Sequence, residues 1–208
     1  EYSLEASLSA HGFHKDEITD VFLTHLHFDH CGGAVFEDSF GRFRPTFKNA
    51  VFWVHRDHWE WAKTPNAREK ASFLRENIFP LEESGQLSFI TGKGPFLSKT
   101  QFPFSILLVN GHTEKQMIPV IEYQGIRIVY VADLIPTVGH IPIPYIMSYD
   151  TRPLVTLDEK RDFLENAVQK ETLLFFEHDP YHELISIQQT EKGIRMKEHY
   201  SFDSYFSK

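Results

Sequence analysis

Apolar residues fall along this chain in short runs broken by polar, Gly- and Pro-marked turns, a pattern of brief buried strands with helices between them. Asp20–Thr24 (DVFLT) and Asn49–Val54 (NAVFWV) read as buried strands. Leu87–Thr91, Ser105–Val109, Met117–Tyr123 and Arg127–Ala132 follow as successive strands, with Gln124-Gly125 as a hairpin turn. Thr172–Phe176 (TLLFF) is another buried strand, and Leu184–Gln189 reads as the last. Ser3–His11 predicts an amphipathic helix with Leu4, Leu8 and His11 near one face. A charged helical stretch is expected from Arg56 through Lys63 and, after Pro65, from Asn66 to Asn77. Leu157–Lys170 predicts a third helix, apolar at Leu157, Phe163, Leu164, Ala167 and Val168. Mixed strands and helices imply α/β layering. The order is no simple alternation, so a doubly wound Rossmann sheet fits poorly.

Composition narrows the class. At 208 residues, 41% apolar and 14% aromatic, the chain can bury a sizeable core. A chain of that length hides about 70% of the surface its unfolded form exposes. Lys plus Arg number 21 against 29 Asp plus Glu, a net charge of −8. That balance argues against nucleic acid or an anionic membrane as partner, since both require a basic patch. No apolar run approaches a membrane span of ~18 residues, and the ends do not read as a signal peptide. A cytoplasmic location is the expectation. The single cysteine, Cys31, excludes an intramolecular disulfide framework and any CxxC zinc knuckle. The 12 histidines are the unusual count, and they carry the chemistry.

The densest constellation is Thr24-His25-Leu26-His27-Phe28-Asp29-His30-Cys31-Gly32-Gly33, just past the DVFLT strand. In an extended segment His25 and His27 point to the same side. Two imidazoles on one side suit a zinc-type divalent ion. Asp29 and His30, in a tight turn helped by Gly32 and Gly33, can face the same cavity and hold a second ion. A polar loop with Asp29 as a helix cap explains such a density of ligands poorly.

HLHFDHCGG after an apolar strand resembles the HxHxDHxGG motif of the metallo-β-lactamase superfamily, and the likeness extends over nearly the whole chain. The resemblance implies an α/β fold, the αββα four-layer sandwich, over residues 1–208. Asn110-Gly111-His112-Thr113 looks like the family's G-H-T segment and makes His112 a ligand. Tyr130-Val131-Ala132-Asp133 looks like its strand-end G-D segment and makes Asp133 the carboxylate shared by both ions. Phe175-Phe176-Glu177-His178-Asp179 looks like the last ligand segment; His178 follows the strand directly, ahead of the competing Asp179 and His182. By resemblance one ion takes His25, His27, His112 and Asp133, and the other takes Asp29, His30, Asp133 and His178. The implied cofactors are two divalent ions, zinc first, with manganese or iron as alternatives. The implied activity is hydrolysis by metal-activated hydroxide, with Asp29 and Asp133 as the catalytic carboxylates.

Two departures from the family stand out. Glu114-Lys115-Gln116 replaces the Pro-Gly-His that usually continues the G-H-T segment, which alters the wall beside His112. The family also begins with a β-hairpin and an Asp-Thr-Gly strand end, whereas this chain starts near the following helix. We therefore expect one metallo-β-lactamase-like domain, N-terminally incomplete. The spacing and the FFEHD segment look most like the branch of N-acyl-homoserine lactonases and methyl-parathion-type hydrolases. A small neutral ester or lactone is the expected substrate. Phosphotriester hydrolysis and a non-haem iron oxidoreductase, as in persulfide dioxygenases, are the alternatives on the same scaffold. Partners expected are a small molecule, no nucleic acid and no membrane; a homodimer is compatible.

Other residues read more plainly. His140, Tyr145 and Tyr149 lie in the Pro-rich stretch after Asp133, either as substrate-binding wall or as packed filler. Trp53, Trp59 and Trp61 are expected to add an aromatic wall. His55 and His58, three apart on a predicted helix, read as a solvated face, and Cys31 as a small buried residue. Lys192, Arg195 and Lys197 read as a solvated strand face.

Overall fold

The computed structural model describes residues 3–206, and the chain divides into two compact units, one ending at Thr91 and one starting at Gly92. The first unit opens with α1 (Leu4–Ala10), whose Ser3 side chain accepts from the Ala6 amide at 3.1 Å as an N-cap. Next come β1 (Asp20–Phe22), α2 (Phe28–Cys31), β2 (Val35–Glu37), β3 (Phe43–Pro45), β4 (Val51–His55), α3 (Arg56–Lys63), α4 (Arg75–Glu83) and β5 (Leu87–Ile90). A parallel three-stranded sheet runs β1-β4-β5, and β2 pairs antiparallel with β3. Leu23, Leu26, Phe52, Val54, Trp59 and Leu81 are at the heart of this unit's core.

The stretch expected as helix from Asn66 to Asn77 is different in the structure. Asn66 Oδ1 accepts from the amides of Arg68 and Glu69 at 2.9 and 3.1 Å, so the chain turns there, and the helix starts only at Arg75. Such local side-chain bonding competes with helix formation.

The second unit comprises β6 (Phe96–Leu97), β7 (Ser105–Val109), β8 (Gln116–Tyr123), β9 (Ile126–Tyr130), α5 (Pro153–Gln169), β10 (Leu173–Phe175), β11 (Leu184–Thr190), β12 (Gly193–Tyr200) and α6 (Phe202–Phe206). Its seven strands form one sheet in the order β12-β11-β10-β9-β8-β7-β6. Gln124 and Gly125 both take positive φ (52° and 77°), the hairpin geometry their identities predicted. Val129, Leu174 and Ile185 face the larger core together with Leu164 and Ala167 of α5. Their neighbours Ile128, Leu173 and Leu184 face Phe202 and Phe206 of α6 instead, the period-two alternation of a sheet covered on both faces. Leu184–Gln189 is not the last strand: Gly193, at φ 89°, turns the chain back into β12. Residues Lys192 and Lys197 of that hairpin are exposed, and Ile194 between them is buried, as an edge strand with one face covered requires. α5 begins earlier than its apolar spacing suggested, because Pro153 occupies the first turn, where its missing N–H costs nothing. Among the described residues no helix is long and apolar enough to cross a membrane.

Candidate metal centre

In the first unit the ligand candidates follow β1 directly. Leu23 and Leu26 are buried in the core, which pins the backbone on either side of His25. His27 stands immediately before α2, and Asp29 and His30 lie within that single helical turn rather than in an open turn. The imidazoles gather closely: ring centroids are 4.6 Å apart for His25 and His27, and 4.0 Å for His25 and His30. Three imidazoles gain little from one another in a buried place, whereas a divalent ion accepts nitrogen donors from several at once. Asp29 is the exposed member, its side chain 44% accessible and 3.6 Å from His30 Nε2. The donor set therefore fits a metal ion.

Residues that the sequence reading did not assign to the site stand beside these ligands. His58 and His55 are buried, correcting their reading as a solvated helix face. The Leu26 amide donates to His58 Nε2 at 2.8 Å, fixing the peptide between His25 and His27. Glu69 is also buried; its carboxylate accepts from the Trp61 indole and the Asn66 side-chain Nδ2, both at 2.7 Å, and stands 3.4 Å from His27 Nε2. The only advance sign of Glu69 was Asn66 three residues before it. Trp59 is packed in the core against Phe79 and Phe89, so the expected aromatic wall cannot include it. Trp53 is tied to Asp20 at 2.8 Å. Cys31 is buried, donates to the Leu26 carbonyl at 3.3 Å, and burial pushes its thiol up to about 12.

The second unit assembles its candidates from three segments. β7 and β9 are both antiparallel to β8, and β10 is parallel to β9, so all three run in one direction. Their C-terminal ends emerge on one edge of the sheet, and His112, Asp133 and His178 follow those ends. Ala132 takes φ 40°, a costly conformation for a residue with a Cβ, immediately before Asp133. The resulting arrangement is specific: Asp133 Oδ2 lies 3.0 Å from His112 Nε2, and Asp133 Oδ1 lies 3.2 Å from His178 Nε2. One carboxylate thus offers each oxygen to a different imidazole. His182, the competing candidate, bonds Asp179 at 3.0 Å instead. Burial opposes charge on His112, but hydrogen bonds from its ring to Asp133 and Asp150 outweigh that and lift its pKa to about 9. Ion binding there would have to displace a proton.

The Pro-rich stretch is held from beneath. Lys160, fully buried on α5, donates to the carbonyls of His140, Pro142 and Tyr145 at 2.9, 3.1 and 2.7 Å. Ile141 packs in the core, while Tyr145 and Tyr149 are 61% and 75% exposed. His140 Nδ1 pairs with Thr137 Oγ1 at 2.8 Å, and burial, aided by the Lys160 ammonium, holds its pKa below the usual value.

Comparison with known proteins follows the same lines. A probable metal-dependent hydrolase from Staphylococcus aureus superposes with a TM-score of 0.79 at 25% identity, covering 97% of this chain and 70% of that one. AidC, a dizinc quorum-quenching lactonase solved with a homoserine product, superposes at 0.75 with 26% identity, covering 96% of this chain and 70% of its own. The hydrolase AbOPH, at 18% identity and a TM-score of 0.78, shares the fold. No curated protein matches the chain by sequence. The family model of the metallo-beta-lactamase superfamily matches residues 1–178, a span that contains every one of the seven ligand candidates. On that match, with the α/β fold and the histidine-rich strand ends, this chain belongs to the metallo-beta-lactamase superfamily and is a hydrolytic enzyme.

Proposed function

We propose that the chain is a dinuclear metallohydrolase of small, neutral esters or lactones. By the superfamily's ligand pattern, the buried His25, His27, His112 and Asp133 would hold one ion, and Asp29, His30 and His178 would hold the other together with Asp133. The observation that carries this reading is the Asp133 carboxylate, one oxygen toward His112 and the other toward His178. A side chain so disposed suits two cations better than one. When bound, two divalent ions supply Lewis acidity toward a substrate oxygen and hydroxide near neutral pH.

The protein's own groups do the rest. The histidines present neutral nitrogen donors, and Asp29 and Asp133 offset the positive charge. Asp29, the exposed carboxylate, would take a proton from the attacking water and return it to the leaving oxygen. In this reading Tyr145 and Tyr149, whose rings are exposed, wall the substrate together with His140. Two facts support neutrality of the substrate. The chain carries a net charge of −8, and Arg152 is already engaged with Glu114 at 2.7 Å. AidC, a dizinc quorum-quenching lactonase at 26% identity, supports zinc and a lactone.

The test compares kcat/KM for an acyl lactone, a neutral aryl ester and bis-p-nitrophenyl phosphate on one zinc-loaded preparation. Lactone or ester turnover well above the phosphodiester is expected. A preference for the phosphodiester would overturn the neutral-substrate reading.

A further inference from the structure

One buried acid in the second unit is left unused by the ligand assignment. Asp150 is 1% exposed, and its Oδ1 lies 3.0 Å from Nδ1 of His112. The same short segment grips the His112 backbone. The Thr151 amide and hydroxyl donate to the His112 carbonyl at 3.1 and 3.0 Å, and the Arg152 amide donates to the Gly111 carbonyl at 2.8 Å. On the other side of the ring, His112 Nε2 faces Asp133 at 3.0 Å. The ring is therefore held at both nitrogens by carboxylates with different tasks.

We infer that Asp150 is a positioning residue for the metal centre, fixing the His112 ring so that Nε2, not Nδ1, serves as the ligand atom. This rests on the metallohydrolase reading above. The physical argument is a matter of tautomers. A neutral imidazole has one N–H and one lone pair, and a carboxylate at Nδ1 holds the N–H there. The lone pair is then at Nε2, on the Asp133 side. The negative charge of Asp150 also makes the ring more electron-rich, and hence a stronger donor. A neutral acceptor could orient the ring but would polarise it less. Burial makes the arrangement costly to abandon, since a carboxylate without its partner in that place would lose its solvation for nothing.

The experiment uses the purified protein with zinc and, separately, with cobalt(II). Competition with a chromophoric chelator gives the zinc affinity of the wild type, Asp150→Asn and Asp150→Ala. Loss of such an outer carboxylate typically weakens metal binding ~10–100-fold. That range is expected for Asp150→Ala on one of two zinc equivalents, with a smaller loss for Asp150→Asn, which keeps an acceptor oxygen. The cobalt(II) visible spectrum of Asp150→Ala should shift as well, a change that mere loss of stability does not produce. Should neither variant fold, nitrogen-15 NMR of the zinc-loaded wild type decides, since the inference requires a proton on His112 Nδ1. Wild-type zinc affinity with an unchanged cobalt spectrum in Asp150→Ala, or a metallated Nδ1, overturns the inference while leaving the dinuclear reading intact. A wild-type protein that binds no zinc brings down the metal reading itself, and the inference with it.

Discussion

His25, His27, Asp29 and His30 come from one short stretch of chain, whereas His112, Asp133 and His178 come from the ends of three separate strands. In the first unit the backbone does most of the placing: alternate residues after β1 and the single turn of α2 bring the rings of His27 and His30 to 4.6 and 4.0 Å from that of His25. In the second unit geometry depends on sheet register, on a positive φ at Ala132, and on α5 gripping the His112 loop. Glu159 of that helix accepts from the Asn110 and Gly111 amides at 2.8 and 3.0 Å. A locally encoded half-set tolerates changes in packing elsewhere. A half-set assembled across a sheet depends on every contact that keeps its segments in place.

The strongest way to break this comparison is to remove Asp133, the carboxylate proposed to serve both ions. Asp133→Ala should lower kcat/KM by more than ~10²-fold, beyond the loss usual for an outer residue. His178→Ala, at a residue proposed to hold one ion only, should lose less. Elemental analysis beside the kinetics reads the difference, and equal metal content with equal activity in the two variants would falsify the bridging role.

A pair of glycines tests the dependence on packing. A Cβ on Gly111 would stand 2.1–2.5 Å from atoms of Thr156, including its backbone. Gly111→Ala must therefore displace α5 or the His112 loop, at about 1–3 kcal/mol of stability. On Gly33 the nearest atom to a Cβ is Leu4 Cδ2 at 3.6 Å, an ordinary contact. Gly33→Ala should stay within about 0.5 kcal/mol of the parent. Urea unfolding of both variants makes the comparison, and similar midpoints would show that the His112 loop yields more easily than its packing implies.

Glu69→Ala probes the support of the first half-set. It deprives the Trp61 indole and the Asn66 side-chain Nδ2 of a shared acceptor, an effect of about 1–3 kcal/mol, and removes the carboxylate beside His27. Thermal unfolding should drop while zinc stoichiometry is retained. Loss of both zinc equivalents would instead make Glu69 indispensable to the centre.

The smallest effect concerns Cys31. With its thiol pushed up to about 12 by burial, almost none is thiolate at pH 8, so alkylation of the native protein should be slow and should accelerate on unfolding. The sign for stability follows. Above the ordinary thiol pKa the unfolded chain binds fewer protons than the native one, so this group's contribution falls as pH rises towards 12. Rapid labelling of folded protein at pH 8 would contradict the buried reading.

What the sequence determined by itself is what short-range chemistry controls. The strand runs, the Gln124-Gly125 turn, the HxHxDH cluster and the identity of His112, Asp133 and His178 as strand-end residues were all legible, because each rests on neighbours a few positions away. Where local signals competed, reading failed: Asn66 bonded its own turn instead of extending a helix, and β12 lay hidden behind a polar hairpin. The tertiary structure alone decided which polar residues are buried beside the ligands. Asp150, Glu69, His58 and Lys160 sit in stretches that look like ordinary solvated sequence. Only the fold brings them against a ligand loop or a carbonyl cluster, where their burial is offset by the hydrogen bonds they make. A lone acid or lysine carries no periodic signal of its partner, so its task becomes visible only once the chain has closed around it.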